Sequence, residues 1–596
     1  MDQLSGGVAN KNFKQLFRGN IQFEIPFFQR RYAWDKKHWD QLFEDIEEQV
    51  IANIDTGQEL EDIEHFFGSI VVLGRNSPEL ELRGFVVIDG QQRITTVYLL
   101  LAVIKSILEE KTHESQQAGG YAKELQTYLE NDVDGMTDDD YKKLKVLSSK
   151  GDRLPTYYSV FHGTNPKSPH LYVDQQLYIP GKNNIDVFKK YAEKKLRKDY
   201  SNVPKLWQLS QVLLHSLKVV WISLVEGKDN PQAIYESLND RGMQLTSSEL
   251  LCSFIFRLLI ETKTDYEELH NNLWLKSQKK VENHGSFEDY LRTYLSIGEK
   301  KMIGKGRRIY VHFKSKNKDM KSDSAKVFLN EIYDCTELYT QIINPTQSKY
   351  FNSGISELLI KIKSTRMDAV NPFLLALLRS LKLGSINEDA CKRILNEVFV
   401  LLIRRKMCEL STTKYDVIFP GLLGRIINEP NKPKEIQSII RLENYWVSNQ
   451  EFEDALINKP LYRSRDLPFT RMVLQEIDKI MQSYGQLPDY TTLPTIEHVM
   501  PQSLDAQWEK YLGEDAKHPD LTRCSNTLGN LCLLSRQANS HAGQDPFAIK
   551  IADYTDVSAL TRDIKSRGDV KWSIEEIKKR SLDLSKHALS IWKWSD

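Results

Sequence analysis

The run Ile496-Glu497-His498-Val499-Met500-Pro501-Gln502 is followed by Gly529-Asn530-Leu531 and then by Asn539-Ser540. These residue types suit hydrolysis of a phosphodiester with one metal ion. A histidine takes a proton from water. An acid and an asparagine hold a divalent cation, which stabilises charge on the phosphate and the leaving oxygen. A lone histidine is more often a buried structural side chain. Glu497 directly before His498, Pro501-Gln502 after it and the asparagines downstream favour the catalytic reading. Asn539 lies 41 residues beyond His498 (539 − 498), a span that a hairpin, an inserted loop and a helix fill.

A second set lies near the other end. It is the segment Asp89-Gly90-Gln91-Gln92-Arg93, with Ile25-Pro26-Phe27-Phe28-Gln29-Arg30-Arg31-Tyr32-Ala33-Trp34 upstream. Gly90 allows close backbone approach to a ligand. Arg93 can grip a phosphate with two parallel hydrogen bonds. Gln91 and Gln92 offer neutral hydrogen bonds, and Asp89 suits a metal or fixes the arginine. The plainer reading is a polar turn with an internal ion pair. A third set is Lys300–Lys321, with nine basic residues and one acid, Asp319. Lys305, Arg307, Arg308 and Lys314 are its candidate DNA contacts. Tyr310 and Phe313 between them suit stacking on unpaired bases; a solvated hairpin is the bland alternative. Lys550, after Pro546-Phe547, is a further candidate phosphate contact or a plain surface lysine.

The elements that must position these residues follow from patterning. Ile21–Phe28 is extended and interrupted by Pro26, and Phe66–Leu73, Gly84–Ile88 and Val219–Val225 are β-rich. Ile94–Glu109 predicts a buried helix. A strand therefore enters the Asp89–Arg93 turn and a helix leaves it, a junction whose unpaired N–H groups favour anions. Residues 131–140 are acidic, but the glycine falls too early for a calcium loop and no glutamate closes it; a solvated loop is expected. Residues 163–184 read as a connecting loop. Asn239–Gly242 is turn-like, and Thr246 or Ser247 caps the helix after it. From about 250 to 480 the patterns are mostly helical, with no clear repeat. Ser573-Ile574-Glu575-Glu576 carries a capping-box pattern that opens a helix running towards Trp592.

The 596 residues predict several domains. With 81 basic and 81 acidic residues, bulk charge gives no nucleic-acid signature, so DNA binding must come from local basic surfaces. Six scattered cysteines form no C-x-x-C pair, so no zinc ribbon or thioredoxin-like site is visible; Cys524 and Cys532, eight apart, read as reduced core thiols more than as metal ligands. The first residues lack a signal-peptide core, and no apolar run reaches the roughly 18–20 residues of a membrane span. A soluble, reduced, cytoplasmic protein is expected.

The string E-H-V-M-P-Q-S, with its downstream asparagines, resembles HNH nuclease domains. The resemblance implies Glu497 and Asn539 as metal ligands, His498 as general base and Asn530 as the asparagine that orients the base or its loop. Many members carry a second histidine where Asn539 stands, and His541 is nearby. The strings I-P-F-F-Q-R, D-G-Q-Q-R and N-D-R-G-M-Q-L resemble the N-terminal domain of GmrSD-type restriction proteins, related to the ParB and sulfiredoxin-like fold. The nuclease-like end, with Trp572 to Ile577, resembles that family's partner domain. The implied fold class is α+β and multidomain. Residues 1–254 would form a ParB/sulfiredoxin-like sensor binding a nucleoside triphosphate, GTP or ATP, through Gln29, Arg30, Arg31, Asp89, Gly90, Gln91, Gln92 and Arg93. Residues 255–480 would form a helical middle, and residues 481–596 an HNH domain of ββα-metal type using Mg²⁺ or Mn²⁺. The implied activity is type IV restriction: cleavage of double-stranded phage DNA bearing hydroxymethylated or glucosylated cytosine, or of phosphorothioate DNA. A homodimer would place two nuclease sites on one duplex. A nucleotide-gated DNA-binding switch with a silent nuclease site and an indiscriminate nuclease toxin are the alternatives.

Overall fold

The computed structural model describes residues 7–51, 60, 63–77, 82–133, 135, 137–162, 164–169, 171–225, 245–260, 266–345, 351–412, 415–419, 422, 445–482, 494–543, 545–554, 558–568 and 570–593. The chain divides into two compact units. One is Met1–Asn271 with Asp319–Ala325; the other is Asn272–Lys318 with Lys326–Asp596. The Asn239–Gly242 turn lies outside the described residues.

The first unit is built on a six-stranded mixed sheet. Its strands are β1 (Gly7–Asn12), β2 (Ile21–Glu24), β3 (His65–Ser77), β4 (Leu82–Asp89), β5 (Val146–Leu147) and β6 (Leu217–Leu224), in the order β1-β6-β3-β4-β2-β5. β3 and β4 run antiparallel, while β2 lies parallel to both β4 and β5. Phe23 and Phe85 face each other in register, rings stacked 5.8 Å apart, with Trp221 edge-on to both. Helix α1 (Gln91–Glu110) leaves the end of β4 and is buried along nearly its whole length. A helix apolar all round belongs in a core. Helices α2 (Gln116–Leu129), α3 (Asn184–Asp199) and α4 (Val203–His215) pack on it. Gly90 at the turn has φ +89, and a Cβ there would lie 2.7 Å from the Ser69 carbonyl oxygen. Only glycine fits this junction.

Among its described residues the second unit is helical apart from one antiparallel pair of strands. Helix α5 (Arg308–Lys316) occupies the basic segment, where a hairpin was the plain alternative. Tyr310 and Phe313 are each 1% exposed, so the expected stacking of bases on them is not available: they are the apolar side of this helix. Residues 163–184, expected as loop, contain the helix Leu171–Leu177. Helices α6 (Asn371–Lys382), α7 (Glu388–Met407) and α8 (Leu467–Met481) follow the predicted periodicity. β7 (Thr495–His498) pairs antiparallel with β8 (Leu531–Leu534), Glu497 opposite Cys532 and His498 opposite Leu531. α9 (Arg536–Ala542) and α10 (Phe547–Asp553) come next, and α11 (Ile574–Ile591) closes the chain. Ser573 caps α11 by accepting from the Glu576 amide, but the Glu576 side chain turns to Arg567 instead of completing the box. All six cysteines are free thiols. Among the described residues no helix is long and apolar enough to cross a membrane.

Candidate active site and the Asp89–Arg93 turn

Strand alternation sends neighbouring side chains of β7 to opposite faces. Glu497 goes inward and is 5% exposed. Its Oε1 accepts from Lys550 Nζ at 2.7 Å and from the Tyr554 hydroxyl at 3.3 Å. Burial pushes the Glu497 carboxyl above its usual range, while the Lys550 ammonium pulls it back. Lys550 corrects the expectation of a surface phosphate contact. It is 1% exposed, and its Nζ also donates to the His498 carbonyl at 2.9 Å. An unpaired carboxylate at this depth would be costly, so the lysine serves as its counter-charge.

His498 points the other way. Its Nε2 lies 3.2 Å from Asn526 Oδ1, which also accepts from Gln502 Nε2 at 2.6 Å. The amide of Asn526 is oriented by its Nδ2, which donates to the Thr522 carbonyl at 2.9 Å. Oδ1 is acceptor-only, so the contact assigns the proton to His498 Nε2 and leaves Nδ1 with its lone pair. Burial, aided by the Lys550 charge, pushes the imidazole down to about 4. It is therefore neutral at pH 7 and able to take a proton. The Asn526 carbonyl accepts from the backbone N–H groups of Leu461 and Tyr462, and the Tyr462 ring packs edge-on against the imidazole at 4.4 Å. Asn526 thus holds the histidine by its side chain and its aromatic neighbour by its backbone. No sequence pattern marked it beyond being another asparagine in the same loop.

Asn530 is wholly buried and fully engaged. Oδ1 accepts from Met500 N at 2.8 Å and Trp572 Nε1 at 3.0 Å; Nδ2 donates to the carbonyls of Met500 and Ser525. It acts on the loop after His498 and makes no hydrogen bond to the ring. Gly529 before it is a packing requirement: a Cβ would overlap the Ile577 carbonyl of α11. Buried Arg580 of the same helix donates to the carbonyls of Gly529 and Leu531 and pairs with Asp563 at 2.6 Å.

Asn539, on α9, donates from Nδ2 to Thr495 Oγ1 at 2.8 Å and is half-buried. Its Oδ1 is left for another partner. One carboxylate and one amide oxygen are hard ligands of the kind Mg²⁺ takes when water and phosphate oxygens complete its shell. The donor types fit, with the Glu497 carboxylate shared with Lys550. Among the described residues no three His, Cys, Asp or Glu side chains gather as a ready-made metal cluster.

In the first unit the turn assembles its expected residues with different duties. Gln29 donates from Nε2 to the carbonyls of Val87 and Ile88, tying its segment to the end of β4, while Oε1 is buried without a partner. Gln91 Oε1 is likewise buried and unpaired. Gln92, expected as a ligand contact, is instead a clamp: Oε1 accepts from the Ala33 and Trp34 amides and Nε2 donates to the Arg31 carbonyl. Arg93 donates to the Ser69 carbonyl at 3.0 Å, lies 3.7 Å from Asp89 and rests on Gly68, where a Cβ would meet its Nε at 2.6 Å. Burial raises the Asp89 carboxyl, opposed by the charges of Arg93 and Arg30. The exposed Arg31 lies over Gly151, near buried Asp152. The result is an arginine-rich turn at an uncapped helix N-terminus, with buried acceptors beside it.

The family model described as GmrSD restriction endonuclease, N-terminal domain, matches residues 13–256. The model described as GmrSD restriction endonucleases, C-terminal domain, matches residues 446–587. Together they span more than half of the chain. No curated protein matches it.

Proposed function

Because the chain belongs to the GmrSD family of restriction endonucleases, we propose that it is a modification-dependent DNA endonuclease regulated by a nucleoside triphosphate. The observation that carries the nuclease reading is His498, neutral, with Nε2 given to Asn526 and Nδ1 left as an acceptor. In this reading residues near the C-terminus form an HNH nuclease of ββα-metal type, and the N-terminal region forms a ParB/sulfiredoxin-like sensor.

His498 Nδ1 takes the proton of the attacking water. Asn526 keeps the ring in the tautomer that leaves Nδ1 free, and Asn530 holds the backbone at Met500 so that the ring cannot swing with its loop. Glu497 and Asn539 would hold Mg²⁺ or Mn²⁺, which when bound supplies charge stabilisation at the scissile phosphate. Lys550 keeps Glu497 ionised in its buried setting. In the N-terminal region, Arg30, Arg31 and Arg93 and the free amides of α1 bind the phosphates of GTP or ATP. Nucleotide binding there licenses the cut on marked DNA.

The Lys550–Glu497 ion pair favours one alternative, a nucleotide-gated DNA-binding switch whose nuclease site is silent because its acid is already neutralised. One experiment separates the readings. Unmodified plasmid, phage DNA with hydroxymethylated or glucosylated cytosine, and phosphorothioate DNA are incubated with Mg²⁺, with and without GTP or ATP, using wild type and His498→Ala. Cutting of one marked DNA only, reduced by roughly 10²–10⁴-fold or more in His498→Ala, supports the proposal. Cutting of every DNA points to a toxin-like nuclease. Nucleotide-dependent binding without cutting supports the switch.

A further inference from the structure

The segment Gly298–Lys316 lines a concavity of about 900 Å³ in the second unit. Lys300, Lys301, Arg307, Arg308, His312 and Lys316 surround it, with Glu299 as its single acid. Arg308, His312 and Lys316 recur every four residues along α5 and so share one face. Glu299 is within 3.3 Å of His312 and 3.2 Å of Lys316, which places those two on the same side. Successive members of this row are about 6 Å apart along the helix axis. Lys300, Lys301 and Arg308 have no acidic partner among the described residues.

The loop that carries these charges is pinned from beneath. Met302 N donates to the Asp416 carbonyl at 2.8 Å, Arg292 Nε to the Ile303 carbonyl at 2.6 Å, and Ile303 N to Ser296 Oγ at 3.1 Å. Met302 and Ile303 are buried. Gly304 makes room for Arg308, whose Cδ would stand 2.5 Å from a Cβ there. The cations are therefore displayed on fixed backbone, which lowers the ordering cost of binding.

We propose that this concavity is a docking site for the phosphate backbone of duplex DNA. Lys300 and Lys301 on the loop and Arg308 on the helix are without an acidic partner, and His312 and Lys316, which share Glu299, continue the row along the next two turns; such a row matches a line of phosphates better than a single anion. With Tyr310 and Phe313 buried beneath, the surface offers no tyrosine or phenylalanine ring for an unstacked base, and its His312 imidazole is engaged by Glu299. It reads backbone and not sequence. Its role is to add affinity for the duplex while marks and cutting are handled elsewhere. The inference rests on DNA being the substrate.

The test is fluorescence anisotropy of a labelled unmodified duplex with the full chain in a chelator, so that nothing is cut, across a salt series. Wild type is compared with Lys300→Gln/Lys301→Gln/Arg308→Gln. Each lost phosphate contact lowers the slope of log affinity against log salt by about 0.9, so the triple variant is expected to lose roughly two to three units. Lys300→Arg/Lys301→Arg should keep the wild-type slope. Should the triple variant fold poorly, the exposed single reversals Lys300→Glu and Lys301→Glu each lower the slope by about one. A wild-type slope in all charge-removing variants overturns this inference and leaves the nuclease reading standing. Wild type that does not bind the unmodified duplex at all also overturns this inference, while the nuclease reading is decided separately by cleavage of marked DNA with Mg²⁺.

Discussion

His498 and its neighbours show how much of a site's chemistry lies in hydrogen bonds that no motif spells out. The imidazole is useful only if one nitrogen is free, and Asn526 decides which. Asn526→Ala should lower kcat by about 10- to 100-fold with little change in KM, because the ring loses its orientation while DNA contacts remain; steady-state cleavage at saturating metal checks it. A larger loss in KM would point to a collapsed loop. Protonation removes the lone pair that His498 uses, so activity is present above its folded pKa and lost as pH falls through it. The acid limb of the rate profile should lie near 4, well below the roughly 6.5 of a solvated histidine. A limb near the solvated value would mean that the ring is open to water. Lys550→Met takes away a nearby positive charge and should move that limb upward. The same change leaves Glu497 buried without its partner, at a cost of about 3–5 kcal/mol, read as a fall in Tm.

Among the elements, the junctions carry the constraints. The β4-to-α1 turn works because Gly90 sits at φ +89 against the Ser69 carbonyl and Gly68 accepts the arm of Arg93. Gly90→Ala should destabilise the first unit and weaken nucleotide binding together, whereas Arg93→Ala should weaken binding with less effect on Tm; calorimetry with GTP and ATP separates the two. The β7–β8 hairpin has its own lock. Asn530 satisfies groups from Met500, Ser525 and Trp572 at once. Removing it in Asn530→Ala leaves buried donors and acceptors unpaired at about 1–3 kcal/mol each. Thermal unfolding should shift accordingly, and activity should fall because the loop after His498 is no longer held.

At the scale of the whole molecule, two separate compact units carry the two sets of residues. If nucleotide binding in one licenses cutting in the other, Arg93→Ala should abolish the effect of GTP or ATP on cleavage while leaving the His498 site intact. Cleavage assays with and without nucleotide on a marked DNA test this. Cleavage indifferent both to nucleotide and to Arg93→Ala removes the coupling from the proposal.

The local order of residues was enough to place the strands around the first turn, the buried α1 and most helices of the second unit, because period-2 and period-3.6 patterning reports burial directly. It also marked Glu497, His498 and the Asp89–Arg93 turn as candidates, because adjacent chemistry-bearing residues and glycine punctuation are local signals. It could not say that Gln92 is taken up by the backbone of Arg31–Trp34, that Lys550 is buried against Glu497, or that Tyr310 and Phe313 belong to the core. Nor could it single out Asn526. A side chain's partner is chosen by what the fold brings within about 3 Å of it. That distance spans 28 residues of chain between His498 and Asn526 and 53 between Glu497 and Lys550, so only the tertiary structure decides it.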